Sequence, residues 1–297
     1  MNRIVDAHIH MYPPEVFADP VAWGTAHGEP WWTYCVAPPH QRTLQGWADV
    51  PRLLADMERS GIGQAVMLGW YWERQETCEL QNQWFIDWCR DYPGKLMGFA
   101  TVQPNSGQRG LDNVRRALDA GLCGIGELLP QAQGFSFRDE NWARLVELAV
   151  ERGVPINLHV TDPLSFNPES CTKATPLENY VQLVRDFPRA TFILAHWGGG
   201  IPFFELNGRM RALFRNVYYD TAASPLLYDK SVYRRVVDLV GPERVLFGTD
   251  YPLLTHPSQT REPEFGRDLA EARAGGLTPA EMEQVMGGNL LRLLRRP

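Results

Sequence analysis

Residues 3–14 read RIVDAHIHMYPP, a short β-branched run that ends in two histidines one residue apart and breaks at a proline pair. In a strand, residues i and i+2 point to the same side, so His8 and His10 present both imidazoles to one face at the C-terminal end of this strand. The pattern of a short apolar run with chemistry at its end recurs along the chain. Candidate strands are Arg3–His8, Gln64–Gly69, Leu96–Val102, Cys123–Leu128, Pro155–Val160, Thr191–His196, Val217–Thr221 and Arg244–Thr249. Amphipathic helical stretches fall between them, among them Gln75–Asp91, Asp139–Arg152 and Leu177–Asp186. Gly61 and Gly63 separate a helix from the second strand, Gly121 and Gly153 stand where helices should end, and Pro188 and Pro242 follow others. Eight strands in strict alternation with helices imply a parallel sheet with right-handed crossovers, closed into an α/β (β/α)8 TIM barrel. The open, doubly wound alternative lacks the GxGxxG that should follow strand one.

The length of 297 residues suits one such barrel, a single domain over 1–297 with extended loops after strands 1 and 5. Those loops are Tyr12–Gln45, rich in Pro and Trp, and Thr161–Thr175. Both belong to the C-terminal face, where long loops form lids and pocket walls. A last helix over Thr278–Arg295, with Thr278 as N-cap and Pro279 at its first position, is expected to close the barrel. A net charge of −6 argues against nucleic acid and anionic membrane surfaces as partners. The five cysteines are odd in number, widely spaced and without a CxxC, so reduced thiols in a cytoplasmic protein are expected. No signal-peptide core opens the chain, and no apolar run of membrane-spanning length occurs. The ten tryptophans, clustered early, fit core and loop packing; the second reading has some of them lining a pocket for a planar or apolar substrate.

Other strand ends carry matching chemistry. His159 ends strand five in INLHVTD, His196 ends strand six in FILAHWGGG, Glu127 ends strand four in GIGELLP, and Asp250 follows strand eight in VLFGTDYP. A lone strand-end histidine is ordinarily structural. Four histidines and two carboxylates at the same end of one barrel point instead to a divalent metal held by nitrogen and oxygen. Zinc is the first expectation, with manganese, iron and cobalt behind it.

The motifs VDAHIHMYPP, LAHWGGGIPF and LFGTDYPL, together with His159, resemble the amidohydrolase superfamily. The likeness is closest to its amidohydrolase-related branch, which includes aminocarboxymuconate-semialdehyde decarboxylase and related aromatic-acid decarboxylases. It runs from strand one to the closing GGNLLRLL. The resemblance implies that His8, His10, His159 and Asp250 ligate the metal and that Asp250 also takes a proton from metal-bound water. His196 is then a second-metal ligand in a two-ion site, or orients substrate or water in a one-ion site. Glu127 resembles the strand-four glutamate of TatD-type nucleases, which touches both metals; its alternative is a buried acid bonding a ligand histidine. One ion is the first reading and two the second.

Around the site, Gly198, Gly199 and Gly200 allow close backbone approach or make a simple turn. His40, Arg42, His256 and Arg261 fall in loops near the mouth, Arg42 read as surface charge and Arg261 as a candidate for a substrate carboxylate. Tyr12, Trp32 and Tyr251 are candidates to pack on substrate, and His27 is read as surface. The expected substrate is a small molecule. The expected reaction is hydrolysis of an ester, lactone or amide through activated water, with His196 and Asp250 catalytic. Non-oxidative decarboxylation of an aromatic or unsaturated acid is the alternative, favoured by HWGGGIPF and by the DTA of YYDTAAS. A binding barrel without catalysis would show gaps in the ligand set, and none is visible. A nuclease follows only from Glu127. A homodimer is expected on general grounds alone.

Overall fold

The computed structural model describes residues 4–40, 42–163 and 175–295. Its eight parallel strands are β1 (Ile4–Ile9), β2 (Ile62–Met67), β3 (Leu96–Gly98), β4 (Ile125–Leu128), β5 (Ile156–Leu158), β6 (Phe192–Leu194), β7 (Val217–Asp220) and β8 (Val245–Leu246). They pair in chain order within two runs, β1-β2-β3 and β4 to β8. Two seams join the runs into a barrel. Between β3 and β4, the amides of Cys123, Ala100 and Gly126 donate to Gly98, Gly124 and Ala100 carbonyls at 2.9, 2.8 and 2.9 Å. Between β8 and β1, Ala7 donates to Phe247 at 2.8 Å, Asp250 to His8 at 2.9 Å and His10 to Tyr251 at 2.7 Å.

The second seam positions the chemistry. From Asp6 to Ile9 β1 advances three residues while β2 advances two, from Ala65 to Met67. The extra residue is a bulge, which re-aims side chains locally. Below it Val5 and Ala7 pack with Val66, Leu68, Phe99, Ile193 and Leu246, side chains that converge from five strands or strand ends. Leu290, from the closing segment, packs against the same layer, and Asn289 fastens that segment to the start of β8 through the Val245 carbonyl at 2.8 Å.

The strands are shorter than the apolar runs of the sequence, because regular pairing lapses where the strand ends splay into loops and bulges. The helices Gln75–Asp91 and Leu177–Asp186 match their expected bounds, and Glu140–Arg152 begins one residue later than its expected start. Gly61 and Gly153 take left-handed φ of 73° and 63° as helix caps. The closing helix is not continuous over Thr278–Arg295. Thr278 does cap it, in a reciprocal box with Glu281, but a π-turn over Gln284–Gly288 interrupts it where Gly287 takes a φ of 153° that no helix contains.

The Tyr12–Gln45 insertion holds three short helices, each beginning with proline: Pro14–Ala18, Pro20–His27 and Pro30–Val36. A buried acid, Glu29, and a half-buried one, Glu73, pin it to the loop after β2. Glu29 accepts from the amides of Glu73 and Arg74 at 2.7 and 3.1 Å, and Glu73 accepts from Trp31 at 2.7 Å. Tyr12, Trp32 and Trp72 fill the space between, each at most 2 % exposed. The aromatic-rich stretch is therefore largely packing. Cys35 is disulfide-bonded, which corrects the expectation of a reduced thiol there, while Cys78, Cys89 and Cys123 are in the thiol form. The loop expected over Thr161–Thr175 lies mostly outside the described residues, as does Cys171. Among the described residues, no helix is long and apolar enough to cross a membrane.

Behind β8, Asp268 is buried and accepts from Thr255 Oγ1 at 2.9 Å. Burial pushes its carboxyl up to about 8. A raised folded-state value means the folded chain keeps a proton that the unfolded chain releases near 3.8, so this contribution to stability is full in acid and is lost as pH rises through about 8. Asp268→Asn should therefore lose less of its Tm than the wild type between pH of about 5 and 8.5, by at least about 2–4 °C. Equal losses in scanning calorimetry would contradict this.

Candidate metal centre

His8, His10, Glu127, His159, His196 and Asp250 converge at the C-terminal mouth of the barrel, from the ends of β1, β4, β5, β6 and β8. His8 Nε2 and His10 Nε2 lie 3.2 Å apart. Asp250 Oδ1 is 3.6 Å from the first and 3.3 Å from the second. On the other side, His196 Nε2 is 3.1 Å from His159 Nδ1. Glu127 lies between the two groups. All six side chains are buried except His159, which is nearly so.

Local backbone explains the convergence. The β1–β8 seam hydrogen-bonds Asp250 to His8 and sets the carboxylate beside the HxH pair. Asp250 and His196 take left-handed φ of 70° and 57°, conformations that cost free energy for side-chain-bearing residues and gather at functional sites. Gly126 lets β4 press onto β5: a Cβ there would stand 2.4 Å from the Asn157 carbonyl.

The hydrogen bonds test whether these residues suit a cation. The outer nitrogens of three imidazoles are engaged: His8 Nδ1 with Asp220 Oδ2 at 2.9 Å, His10 Nδ1 with the Leu68 carbonyl at 3.2 Å, and His196 Nδ1 with the Ala222 carbonyl at 3.1 Å. Each Nδ1–H donates outward, so each Nε2 turns a lone pair inward, the arrangement of metal-binding histidines. Donor atoms bound to one ion at about 2.0–2.2 Å stand roughly 3.0–3.6 Å apart, which these spacings match. Charge agrees. Burial alone would lower the His8 pKa, yet the carboxylates of Asp220, Glu127 and Asp250 raise it to about 10. Burial would raise Glu127, and the imidazoles of His159 and His8 hold it well below the usual carboxylate range instead. The cluster demands positive charge at its centre, and a divalent ion on neutral imidazoles meets that demand. The residues fit a metal.

Sequence reasoning missed the scaffold of this centre. Asp220, fully buried at the end of β7, holds His8 Nδ1 with Oδ2 and accepts from the His196 amide with Oδ1 at 3.0 Å; Asn157 Nδ2 donates to it at 3.1 Å. The DTA motif is visible in the sequence, but nothing local in it signals this role. Asp220→Ala should weaken metal affinity by about 10–100-fold while leaving every presumptive ligand in place. Unchanged affinity in a metal titration would show that Asp220 is merely structural.

A cavity of about 490 Å³ opens above the cluster, lined by His10, Glu127, His159, His196 and Asp250 at its base. Its walls include Trp70 and Tyr71, stacked at 4.2 Å between ring centroids, and Arg42. Trp70 and Tyr71 follow β2 at the catalytic face, and that position was the available signal for them. Arg42 is exposed, as its reading from the sequence as surface charge expects, and it also lines the cavity. The substrate-packing candidates lie elsewhere. Tyr12 and Trp32 are buried against each other, Trp32 Nε1 donating to Tyr12 Oη at 3.4 Å. Tyr251 donates to Asp56 Oδ2 at 2.8 Å and stacks on Phe265. Arg261 and His40 are exposed away from the lining, and His256 is buried 4.0 Å from Asp268.

Known proteins agree with this architecture. No curated protein sequence matches the chain. Among solved structures, 5-carboxyvanillate decarboxylase from Sphingomonas paucimobilis superposes with a TM-score of 0.78 at 17% identity, covering 100% of both chains. 2,6-Dihydroxybenzoate decarboxylase from Rhizobium gives 0.70 at 16%, covering 99% of each. A dihydroxybenzoic acid decarboxylase from Polaromonas sp. JS666, solved with bound manganese and the inhibitor 2-nitroresorcinol, gives 0.72 at 16%, covering 99% of this chain and 97% of that one. At such identities the likeness shows the (β/α)8 fold. The family profile described as amidohydrolase matches residues 5–296. With HxH, His, His and Asp at the barrel mouth and that match over nearly its whole length, this chain belongs to the amidohydrolase family.

Proposed function

We propose that this protein is a metal-dependent carboxy-lyase that removes carbon dioxide from a planar aromatic or unsaturated acid without oxidation. The observation that carries the reading is the cavity, where a cation-binding cluster, a stacked Trp70–Tyr71 wall and the Arg42 guanidinium enclose about 490 Å³. That combination suits a flat, anionic molecule. The three solved structures named above, all described as decarboxylases, support it, and the manganese in one makes manganese as good a candidate as zinc.

A divalent ion held by His8, His10, Asp250 and the neighbouring donors supplies positive charge that anchors the acid's oxygens and draws electron density from the ring. Arg42 fixes the far edge of the substrate. The aromatic walls exclude water. Loss of carbon dioxide leaves an electron pair on the ring carbon, which must gain one proton. His196 faces the cavity and is the candidate to deliver it.

Hydrolysis, the first expectation from the sequence, would use the same ion and Asp250 on a water. The test supplies a panel of hydroxylated aromatic acids and, separately, lactones and esters to metal-loaded protein, and measures released carbon dioxide against ring opening. Carbon dioxide from at least one acid is expected; opening of lactones alone would overturn the proposal. Arg42→Met should raise KM for the accepted acid about 10–100-fold with kcat little changed. An unchanged KM would remove Arg42 from the site.

A further inference from the structure

We propose that Tyr71 selects the substrate by an oxygen on its ring: the phenol hydroxyl donates a hydrogen bond to an oxygen substituent of the aromatic acid held in the cavity. The inference deepens the reading of the cavity as an aromatic-acid site and rests on it. A buried tyrosine ordinarily gives its hydroxyl a partner, because an unpaired polar group away from water is costly. The other buried tyrosines follow that rule. Tyr180 donates to the His159 carbonyl at 2.6 Å, Tyr219 to Glu205 at 2.7 Å and Tyr251 to Asp56 at 2.8 Å. Tyr12 accepts from Trp32 at 3.4 Å, and Tyr233 bonds Thr221 and Ser224. Tyr71 is the exception. It is 3 % exposed and lines the cavity, yet its hydroxyl makes no hydrogen bond among the described residues and is not sealed from water either. That donor is left for whatever enters the cavity.

Its position suits a ring substituent. The Tyr71 ring stacks on Trp70 with 29° between their planes and meets the His159 imidazole edge-on at 5.5 Å between centroids. Trp70 in turn meets His10 edge-on at 5.6 Å. The aromatic wall therefore begins at the cation-binding cluster itself. An acid whose carboxylate is drawn to that cluster lays its ring along the wall, and the substituents of the ring are the groups that reach a wall hydroxyl. A neutral phenol pairs with an oxygen lone pair without adding charge. A ring bearing only hydrogen or alkyl groups displaces the water on that hydroxyl and puts nothing in its place, which costs affinity.

The segment that carries Tyr71 is fixed on both sides. The Glu127 amide donates to the Gly69 carbonyl, and the Gly69 amide donates to the Gly126 carbonyl, both at 2.8 Å, which stitches the residues after β2 to the end of β4. The Trp70 amide donates to Gln81 Oε1 at 2.8 Å, and the Trp70 carbonyl accepts from Thr101 Oγ1 at 2.7 Å. Gln81 Oε1 also accepts from the Trp72 indole at 2.6 Å. A hydroxyl held this firmly cannot follow the ligand. It rewards the ring isomer whose oxygen meets it and gives the others little, so it sets specificity by position.

The test compares the full-length, manganese-loaded wild type with Tyr71→Phe, which keeps the stacked ring and removes only the hydroxyl. Titration calorimetry measures the affinity of each for benzoate and for the ortho, meta and para hydroxybenzoates. In the wild type one hydroxybenzoate should bind about 10-fold tighter than benzoate, and in Tyr71→Phe that ratio should fall to about 2 or less. The Tm of Tyr71→Phe should stay within about 1 °C of wild type, because no bond within the protein is lost. A ratio that persists in Tyr71→Phe, as chelation of the cation by an ortho hydroxyl alone would give, overturns the proposal. So does a wild type that favours no hydroxybenzoate, or a Tm that falls by several degrees as the affinities for all four acids drop together. A Tyr71-dependent preference in a protein that releases no carbon dioxide would support this role and count against the reaction. Release of carbon dioxide from a hydroxylated acid with kcat/KM unchanged in Tyr71→Phe would overturn the role and leave the reaction standing. Failure of every acid to bind would remove both.

Discussion

Asp250→Asn is expected to fold as the wild type does and to lose at least about 100-fold in kcat, within the range that removal of a positioned acid–base group produces. Two features argue that the fold survives. The replacement is isosteric, and Asn is among the residues that best tolerate the left-handed φ of 70° found at this position. Two others argue that function does not. Oδ1 stands within 3.6 Å of the Nε2 atoms of both His8 and His10, and the carboxylate lines the cavity together with His196. An amide there removes the charge and half of the acceptor capacity. Circular dichroism and Tm check the fold, and steady-state kinetics check the loss. Turnover within a few-fold of wild type, at full metal loading, would remove Asp250 from the mechanism.

The second large effect concerns stability. Glu205 and Arg244 form a buried ion pair at 2.5 Å between the segment that begins at His196 and the start of β8. Glu205 Oε1 also accepts from Tyr219 Oη at 2.7 Å, and Arg244 donates to the Phe214 carbonyl at 2.8 Å. Glu205→Ala leaves a buried guanidinium without its counter-charge and should cost about 3–5 kcal/mol in denaturant unfolding. The double variant Glu205→Leu with Arg244→Met should recover much of that, because what is costly is the orphaned charge rather than the missing pair. A loss below about 1 kcal/mol in the single variant would show that water reaches Arg244. The same lesion should loosen the turn through Trp197 and the glycines to Gly200, and with it the seat of His196.

Much of this was legible in the sequence, for identifiable reasons. Strand alternation and the HxH pair needed only local periodicity, and the strand-end residues His159, His196 and Asp250 inherit their convergence from barrel closure. What was not legible depends on contacts between distant segments. Asp220 looked like one more strand residue until its carboxylate was seen to hold both His8 and the His196 amide, 212 and 24 positions away. Arg42 is exposed as expected, but nothing in the sequence says that the insertion after β1 brings it to the cavity. Tyr12, Trp32 and Tyr251 misled in the opposite direction. Tyr12 and Tyr251 sit beside the site motifs in the chain and Trp32 lies in the insertion, yet Tyr12 and Trp32 belong to its packing and Tyr251 is turned towards Asp56. Burial of large aromatics outweighs proximity in sequence. The break in the closing helix falls at Gly287, next to Gly288, and the glycine pair is its signal in the sequence.

The most direct measurement is the anomalous scattering of manganese in a crystal of the loaded protein. The account predicts density within the cluster of His8, His10, Glu127, His159, His196 and Asp250. Density anywhere else, or a well-ordered mouth that takes up no manganese at concentrations that saturate other proteins of this fold, would contradict it.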